Sequence, residues 1–396
     1  MSMTSRERML KAIQGEMTDR VPVTLFIADQ GHFINQVYPD IDPWDTQTIQ
    51  KKVIEFSKEM RADVFVRVLY GLDEPLSIIY GGLDISRETE NWEVETEEIH
   101  QGDTLIKRST IRTPGGNLTQ DYSINEIRPG TFMYACTKKP IKSEADLDIA
   151  IKYEPKMLES YPEYAREYLA PIKEALGDDG ILGTWTPMGP FNNCSLLIKL
   201  DELYTLFLED YKFYEKLIRF AMHRCLDYTK AIDEAGVDVH CIGGNVPGGF
   251  LGKRSFEKYI LPFEKEYIDI VQRNGTPAMY HNCGEIMNLV ESYKKLGVKS
   301  VEPFSPPPTL GDADHEKAVE LIDGAYSVIF GVDQVNVLQN GSIDDVKVAT
   351  EKTITIGKSG KQRGKFILQS ADFLEYGTPI ENVQAFVETG IEYAAY

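Results

Sequence analysis

The sequence is short of cysteine, of histidine and of positive charge. It has five cysteines in 396 residues, Cys136, Cys194, Cys225, Cys241 and Cys283. They are odd in number and lack framework spacing, which excludes a disulfide scaffold and fits a reducing compartment. There is no Cys-x-x-Cys pair and no Gly-x-Ser-x-Gly elbow, so the common paired-thiol motif and the hydrolase nucleophile turn are both missing. There is no apolar signal core and no apolar run long enough to span a bilayer, so a cytoplasmic location without membrane contact is expected. Basic residues number 42 against 62 acidic ones, a formal charge of −20. That balance repels phosphate backbones and anionic lipid, and excludes nucleic-acid and membrane-surface roles. It suits solubility, or a basic protein partner.

What is present is an ordinary globular composition, 42% hydrophobic and 26% charged, with strands and helices that alternate. Thr4 or Ser5 caps a first helix running to about Gly15, with Met9, Leu10 and Ile13 on one face. Strand-like runs begin at Val21, Ala62, Ile181, Val237, Pro277, Ser300, Tyr326 and Lys365. Helical patterns fall at about 45–60, 162–176, 195–208, 211–235, 256–273, 285–296, 316–322, 343–357 and 379–393. Eight such strands favour an α/β fold closed as a single (β/α)8 TIM barrel spanning 1–396. One stretch breaks the rhythm. From about 89 to 134 polar and apolar residues alternate around the turn Pro114-Gly-Gly-Asn117, as in antiparallel β hairpins inserted after the second strand.

In such a barrel chemistry sits at the C-terminal ends of the strands. His281 and Cys283 end one strand two residues apart, so an extended backbone points both side chains the same way. Imidazole nitrogen and thiolate sulfur together suit Zn²⁺. The other reading is a small buried thiol beside a hydrogen-bonded histidine. Further polar residues at strand ends are His240, Cys241, Glu302, Asp333 and Asp372. Each is a candidate ligand or acid–base group, or a structural polar group. The run Gly243-Gly-Asn-Val-Pro-Gly-Gly249 fits neither the dinucleotide nor the P-loop fingerprint. Gly243, Gly244 and Asn245 are read as a mouth loop against which a large cofactor lies, or as a plain turn.

Four stretches resemble the uroporphyrinogen decarboxylase superfamily. They are Thr4-Ser-Arg-Glu-Arg-Met-Leu-Lys-Ala-Ile running on to Arg20-Val-Pro-Val23, Phe256-Glu-Lys-Tyr-Ile-Leu-Pro262, Tyr280-His-Asn-Cys-Gly284 and Gly377-Thr-Pro-Ile-Glu-Asn-Val383. The third resembles the metal motif of the cobamide-dependent methyltransferase branch. That resemblance implies zinc on His281, Cys283 and a later cysteine, whose place is taken here by Asp372. It implies a corrinoid carried on a separate protein, and methyl transfer between its cobalt and a small methylated substrate such as an aryl methyl ether or methylamine. Glu302 or Asp333 would orient the donor, and His240 is a further catalytic candidate that zinc, like Glu302, could also recruit. The alternatives are transfer from methylcobamide to a thiol, decarboxylation of a non-porphyrin substrate, and a non-catalytic barrel that binds a tetrapyrrole or a corrinoid protein. Porphyrinogen decarboxylation itself is disfavoured. The stretch Phe26-Ile-Ala-Asp-Gln-Gly-His-Phe-Ile-Asn35, where decarboxylases carry arginine for substrate carboxylates, has none. A homodimer through exposed barrel helices is compatible with the sequence.

Overall fold

The computed structural model describes residues 3–27, 32–68, 82–128, 131–185, 189–244, 248–309 and 311–396. Seven strands form one all-parallel sheet: Val64–Val68 (β1), Gly180–Thr184 (β6), Val239–Gly244 (β7), Ala278–Asn282 (β8), Ser300–Glu302 (β9), Ser327–Val332 (β10) and Phe366–Ser370 (β11). Four more form an antiparallel sheet: Glu93–Gln101 (β2), Thr104–Thr113 (β3), Gly116–Arg128 (β4) and Thr131–Lys138 (β5). The extended segment 21–27 joins the two edges of the parallel sheet. The Thr24 N–H donates to Leu368 O on β11 at 2.9 Å, and the Asp63 N–H, just before β1, donates to Val23 O at 2.7 Å. The ring is thereby closed, with 21–27 as its eighth stave.

Closure follows from the side-chain pattern. Phe65, Ile181, Val239, Cys241, Met279, Ile329 and Ile367, from six strands, meet in one apolar cluster with Met9, Ala12 and Ile13 of the first helix, Ser5–Gln14. Strands so far apart in a flat sheet would never touch. The first helix plugs the bottom of the barrel, and Ser327 Oγ donates to Ala12 O at 2.5 Å beneath it. Its start is a capping box, Thr4 with Glu7, and its end is Gly15 at φ 76°, a left-handed turn that glycine takes without strain. Alternate residues of the strands face outward into a second apolar layer beneath the helices, such as Val64, Val66 and Val68 against Leu169, Ile172 and Ile232.

The antiparallel sheet lies where the alternation breaks, and extends to Lys138. Its buried face, Trp92, Ile111 and Leu118, shares one apolar cluster with Leu147 and Ala150 and with the barrel's outer helices. Two expected helices differ. The pattern at 195–208 is two helices, Pro190–Leu197 and Leu200–Glu209, parted where Ile198 turns extended at φ −126°. The pattern at 285–296 keeps only Val290–Tyr293 as α-helix, because Asp312 Oδ1 accepts the Ile286 and Met287 N–H groups at 2.8 and 3.2 Å and holds a turn there instead. Among the described residues no helix is long and apolar enough to cross a membrane.

Candidate active site at the barrel mouth

Strand alternation stacks the barrel interior in layers. Two residues beyond the apolar plug, toward the mouth, the inward positions are Arg67 on β1, His281 on β8 and Gln369 on β11, with Glu302 from β9. Gly183 shares this level on β6, and a Cβ there would come within 2.9 Å of Cys241 Sγ and of Val239 Cγ1. The polar side chains therefore lie together over a floor that has no room for another. Glu302 is fully buried and Arg67 almost so. Arg67 grips both carboxylate oxygens of Glu302, Nη1 to Oε1 and Nη2 to Oε2, each at 2.7 Å, and Nη2 also donates to Gln369 Oε1 at 2.8 Å. His281 Nδ1 lies 3.0 Å from Glu302 Oε1. Burial alone would push the Glu302 carboxyl up, but the Arg67 charge and the His281 bond outweigh it and hold it below its ordinary value. Burial likewise opposes charge on His281. Its bonds to Cys283 and Glu302 and their charges prevail, and lift the imidazole to about 10.

Aromatic rings wall the polar group. Arg67 lies 4.2 Å from the Phe26 ring, 4.2 Å from Phe65 and 5.4 Å from Trp185. Trp185 meets His281 edge-on at 4.7 Å and stacks on Phe26 at 6.0 Å, and Phe373 closes on Phe26 at 6.2 Å. Asp372 follows β11 at the same end, its Oδ1 accepting the Phe373 N–H at 2.8 Å. Burial pushes its carboxyl up, the His281 charge partly offsets this, and Glu302 adds to the rise. Asp372 is thus within the electrostatic reach of the Arg67–Glu302–His281 group. Even so, no three His, Cys, Asp or Glu side chains converge as a metal site among the described residues. His281 and Cys283 are in contact; Asp372 does not complete a triad with them.

The other expected residues go elsewhere. His240 is one residue out of phase with the inward-facing Val239 and Cys241. Its ring points outward, with Nε2 3.3 Å from Asp233 Oδ1 on the helix Tyr211–Ala235, so it does not meet His281. Asp333 caps the turn after β10: its Oδ1 accepts the Val335 and Asn336 N–H groups at 2.9 and 2.8 Å, and Thr309 Oγ1 donates to Oδ2 at 2.9 Å. Glu302 is taken up by Arg67 and His281 rather than held free for a donor. Gly243 and Gly244 are packing positions, because a Cβ on the first would strike His281 O and on the second the Asn192 side chain. Asn245 lies outside the described residues, as does the Tyr134 side chain. Of the aromatic residues in the inserted sheet, Tyr122 is buried, while Phe132 rests on Trp44 at 4.9 Å.

Arg67, Phe26, Trp185 and Gln369 had no motif to announce them. The one available signal was Arg67 itself, a lone charge inside the apolar run Val64-Phe-Val-Arg-Val68, since an arginine inside a buried strand needs a partner.

Residues 99–393 match the family described as uroporphyrinogen decarboxylase (URO-D). The chain belongs to the URO-D family. The URO-D match covers about three quarters of its length. Among curated proteins it is similar to the methylcobamide:CoM methyltransferase MtbA of Methanosarcina acetivorans, 26% identical over 184 residues, covering 45% of this chain and 50% of that one. The same-named protein of Methanosarcina mazei is 26% identical over 178 residues, covering 45% and 48%. The chain therefore spans about half the length of the curated relatives it matches. Two solved structures share its fold. A methyltransferase from Methanosarcina mazei superposes with a TM-score of 0.70 at 18% identity over 99% of both chains. A B12-independent methionine synthase from a Shewanella species superposes with a TM-score of 0.51 at 11% identity, over 87% of this chain and 86% of that one.

Proposed function

We propose that this URO-D family chain is a corrinoid-dependent methyltransferase, moving a methyl group from a small methylated donor to the cobalt of a separate corrinoid protein. The observation that carries the reading is the braced His281 beside Cys283 at the mouth of an aromatic-walled barrel. The relatives' names support the reaction class. In the transfer, the donor's carbon–oxygen or carbon–nitrogen bond breaks as cobalt(I) supplies the electron pair of the new cobalt–carbon bond. The leaving oxygen or nitrogen keeps its own pair and takes up a proton. Phe26, Trp185 and Phe373 exclude water and offer ring faces to an aryl or N-methyl group. Arg67 is consumed by Glu302, so the guanidinium at the His281 site is not free to clamp a substrate carboxylate.

Zinc belongs to this proposal. His281 and Cys283 supply nitrogen and sulfur side by side and are the two residues that would hold it, while Asp372, buried at the same end, stands outside that pair. When bound, zinc supplies Lewis acidity toward the leaving atom. The experiment is incubation with cobalt(I) cobalamin and a panel of aryl methyl ethers and methylamines, following methyl-cobalt absorbance, alongside metal analysis. A second reading, transfer from methyl-cobalt(III) to a thiol, is favoured by the relatives' names and is tested in the same cuvette with methylcobalamin and thiols. If neither direction turns over, and only carbon dioxide release or simple binding is seen, the proposal is overturned.

A further inference from the structure

We propose that Arg67 is a positioning residue for the His281 site, acting through Glu302 without touching the reacting atoms. The inference rests on the reading of His281 and Cys283 just given. Arg67 is held on every side: both ends of its fork by Glu302, Nη2 by Gln369, and its plane by Phe26 and Phe65 at 4.2 Å each. Stability alone does not account for it, because a well-packed apolar side chain between those rings is often as stable as a buried ion pair. The fork fixes something else. A carboxylate gripped at both oxygens has one orientation left, and in it Oε1 faces His281 Nδ1 at 3.0 Å. With Nδ1 turned to Glu302, Nε2 is the ring nitrogen left on the Cys283 side. A carboxylate behind a metal-binding histidine sets its tautomer and basicity in this way. Arg67 thus stands one step further back, and keeps the carboxylate aimed.

The test is a double-mutant cycle on the full chain, with Arg67→Met, Glu302→Gln and the pair together. Zinc affinity is read by chelator competition. Each single change should weaken binding by about 10–100-fold, and the double should lose little more than one single, since both act through one contact. Arg67→Lys keeps the charge without the fork and should fall between wild type and Arg67→Met. A second readout needs no metal. In protein labelled with ¹⁵N-histidine, the ring N–H signal of His281, identified by its loss in His281→Gln, should exchange slowly with water in wild type and quickly once Arg67 is replaced. Additive losses in the double variant, or an unchanged His281 signal with unchanged zinc affinity in Arg67→Met, overturn the proposal. If wild type binds no zinc, the zinc part of the functional reading falls, and the imidazole signal still decides the role of Arg67. If Arg67→Met fails to fold, Arg67→Lys in the wild-type and Glu302→Gln backgrounds decides it.

Discussion

Two buried histidines on neighbouring strands, His240 on β7 and His281 on β8, each sit beside a carboxylate, yet only one faces the barrel interior. His240 pairs with Asp233, which also accepts from Asn274 Nδ2 at 2.6 Å and Thr276 Oγ1 at 2.8 Å and is lowered to about 2, chiefly by the His240 bond. That arrangement ties a helix end to a strand and a loop. His281 pairs with Glu302, behind which stands Arg67, and beside it stands Cys283. The chemistry of the two pairs is nearly the same. What differs is one step of strand alternation, which turns one ring toward the helices and the other into the mouth. A further contrast lies in Glu264 on the helix Leu261–Val271. It is as buried as Glu302 but has no cation beside it among the described residues. Oε1 accepts the Phe191 N–H at 3.0 Å, Oε2 has no hydrogen-bond partner among the described residues, and burial pushes the carboxyl up to about 7. It holds the start of the helix Pro190–Leu197, where the Gly189 N–H donates to Gly243 O at 2.9 Å.

The sharpest way to break this comparison is to exchange the roles of the two histidines. His281→Ala and Cys283→Ser should each reduce methyl transfer by about 100-fold or more. His240→Ala should leave turnover of the folded protein within about twofold. Steady-state rates beside thermal melts would show it, and equal losses at 240 and 281 would erase the distinction. Next in size, Ile329→Ala in the apolar plug should cost about 2–5 kcal/mol in urea unfolding by opening a cavity below the polar layer. A cost under about 1 kcal/mol would mean that the layer is not packed.

Glu264 then tests what a buried carboxylate without a cation does. Its folded value near 7 lies above an ordinary glutamate, so between about pH 4.5 and 7 the native state binds a proton that the unfolded chain has released. Stability should therefore rise as pH falls through 7, and the cost of the charge is fully present above it. Glu264→Gln should stabilise the protein at pH 8 by about 2–3 kcal/mol and flatten that slope; a destabilised Gln variant with the slope intact would refute the assignment. The smallest effect belongs to Asp233. Its folded value is lowered, so its contribution is present above pH 4 and fades as pH falls toward 2. Discounted for solvent screening, it is worth about 1 kcal/mol. His240→Gln should shrink that acid-side loss, measurable by urea unfolding between pH 2 and 5, and an unchanged acid limb would count against the pair.

Much of the scaffold was legible because local signals agree there. The helix ends at Thr4, Gly15, Asp45 and Ser342 carry capping chemistry that works within a few residues. The apolar runs at Val64, Ala278 and Phe366 read as strands because both faces are covered. The site was legible only where a motif is contiguous, at His281 and Cys283. Asp333 and His240 misled because a polar residue at a strand end looks the same whether it caps a turn, faces the helices or faces the mouth.

By itself the sequence determined the order of strands and helices, the antiparallel insertion and the presence of a His-x-Cys pair, since each rests on periodicity or spacing along the chain. Tertiary structure alone decided that Arg67, His281, Glu302 and Gln369 share one layer, and that His240 does not. Those residues are separated by up to 302 positions, and they meet only because the sheet curls until distant strands point inward at the same height.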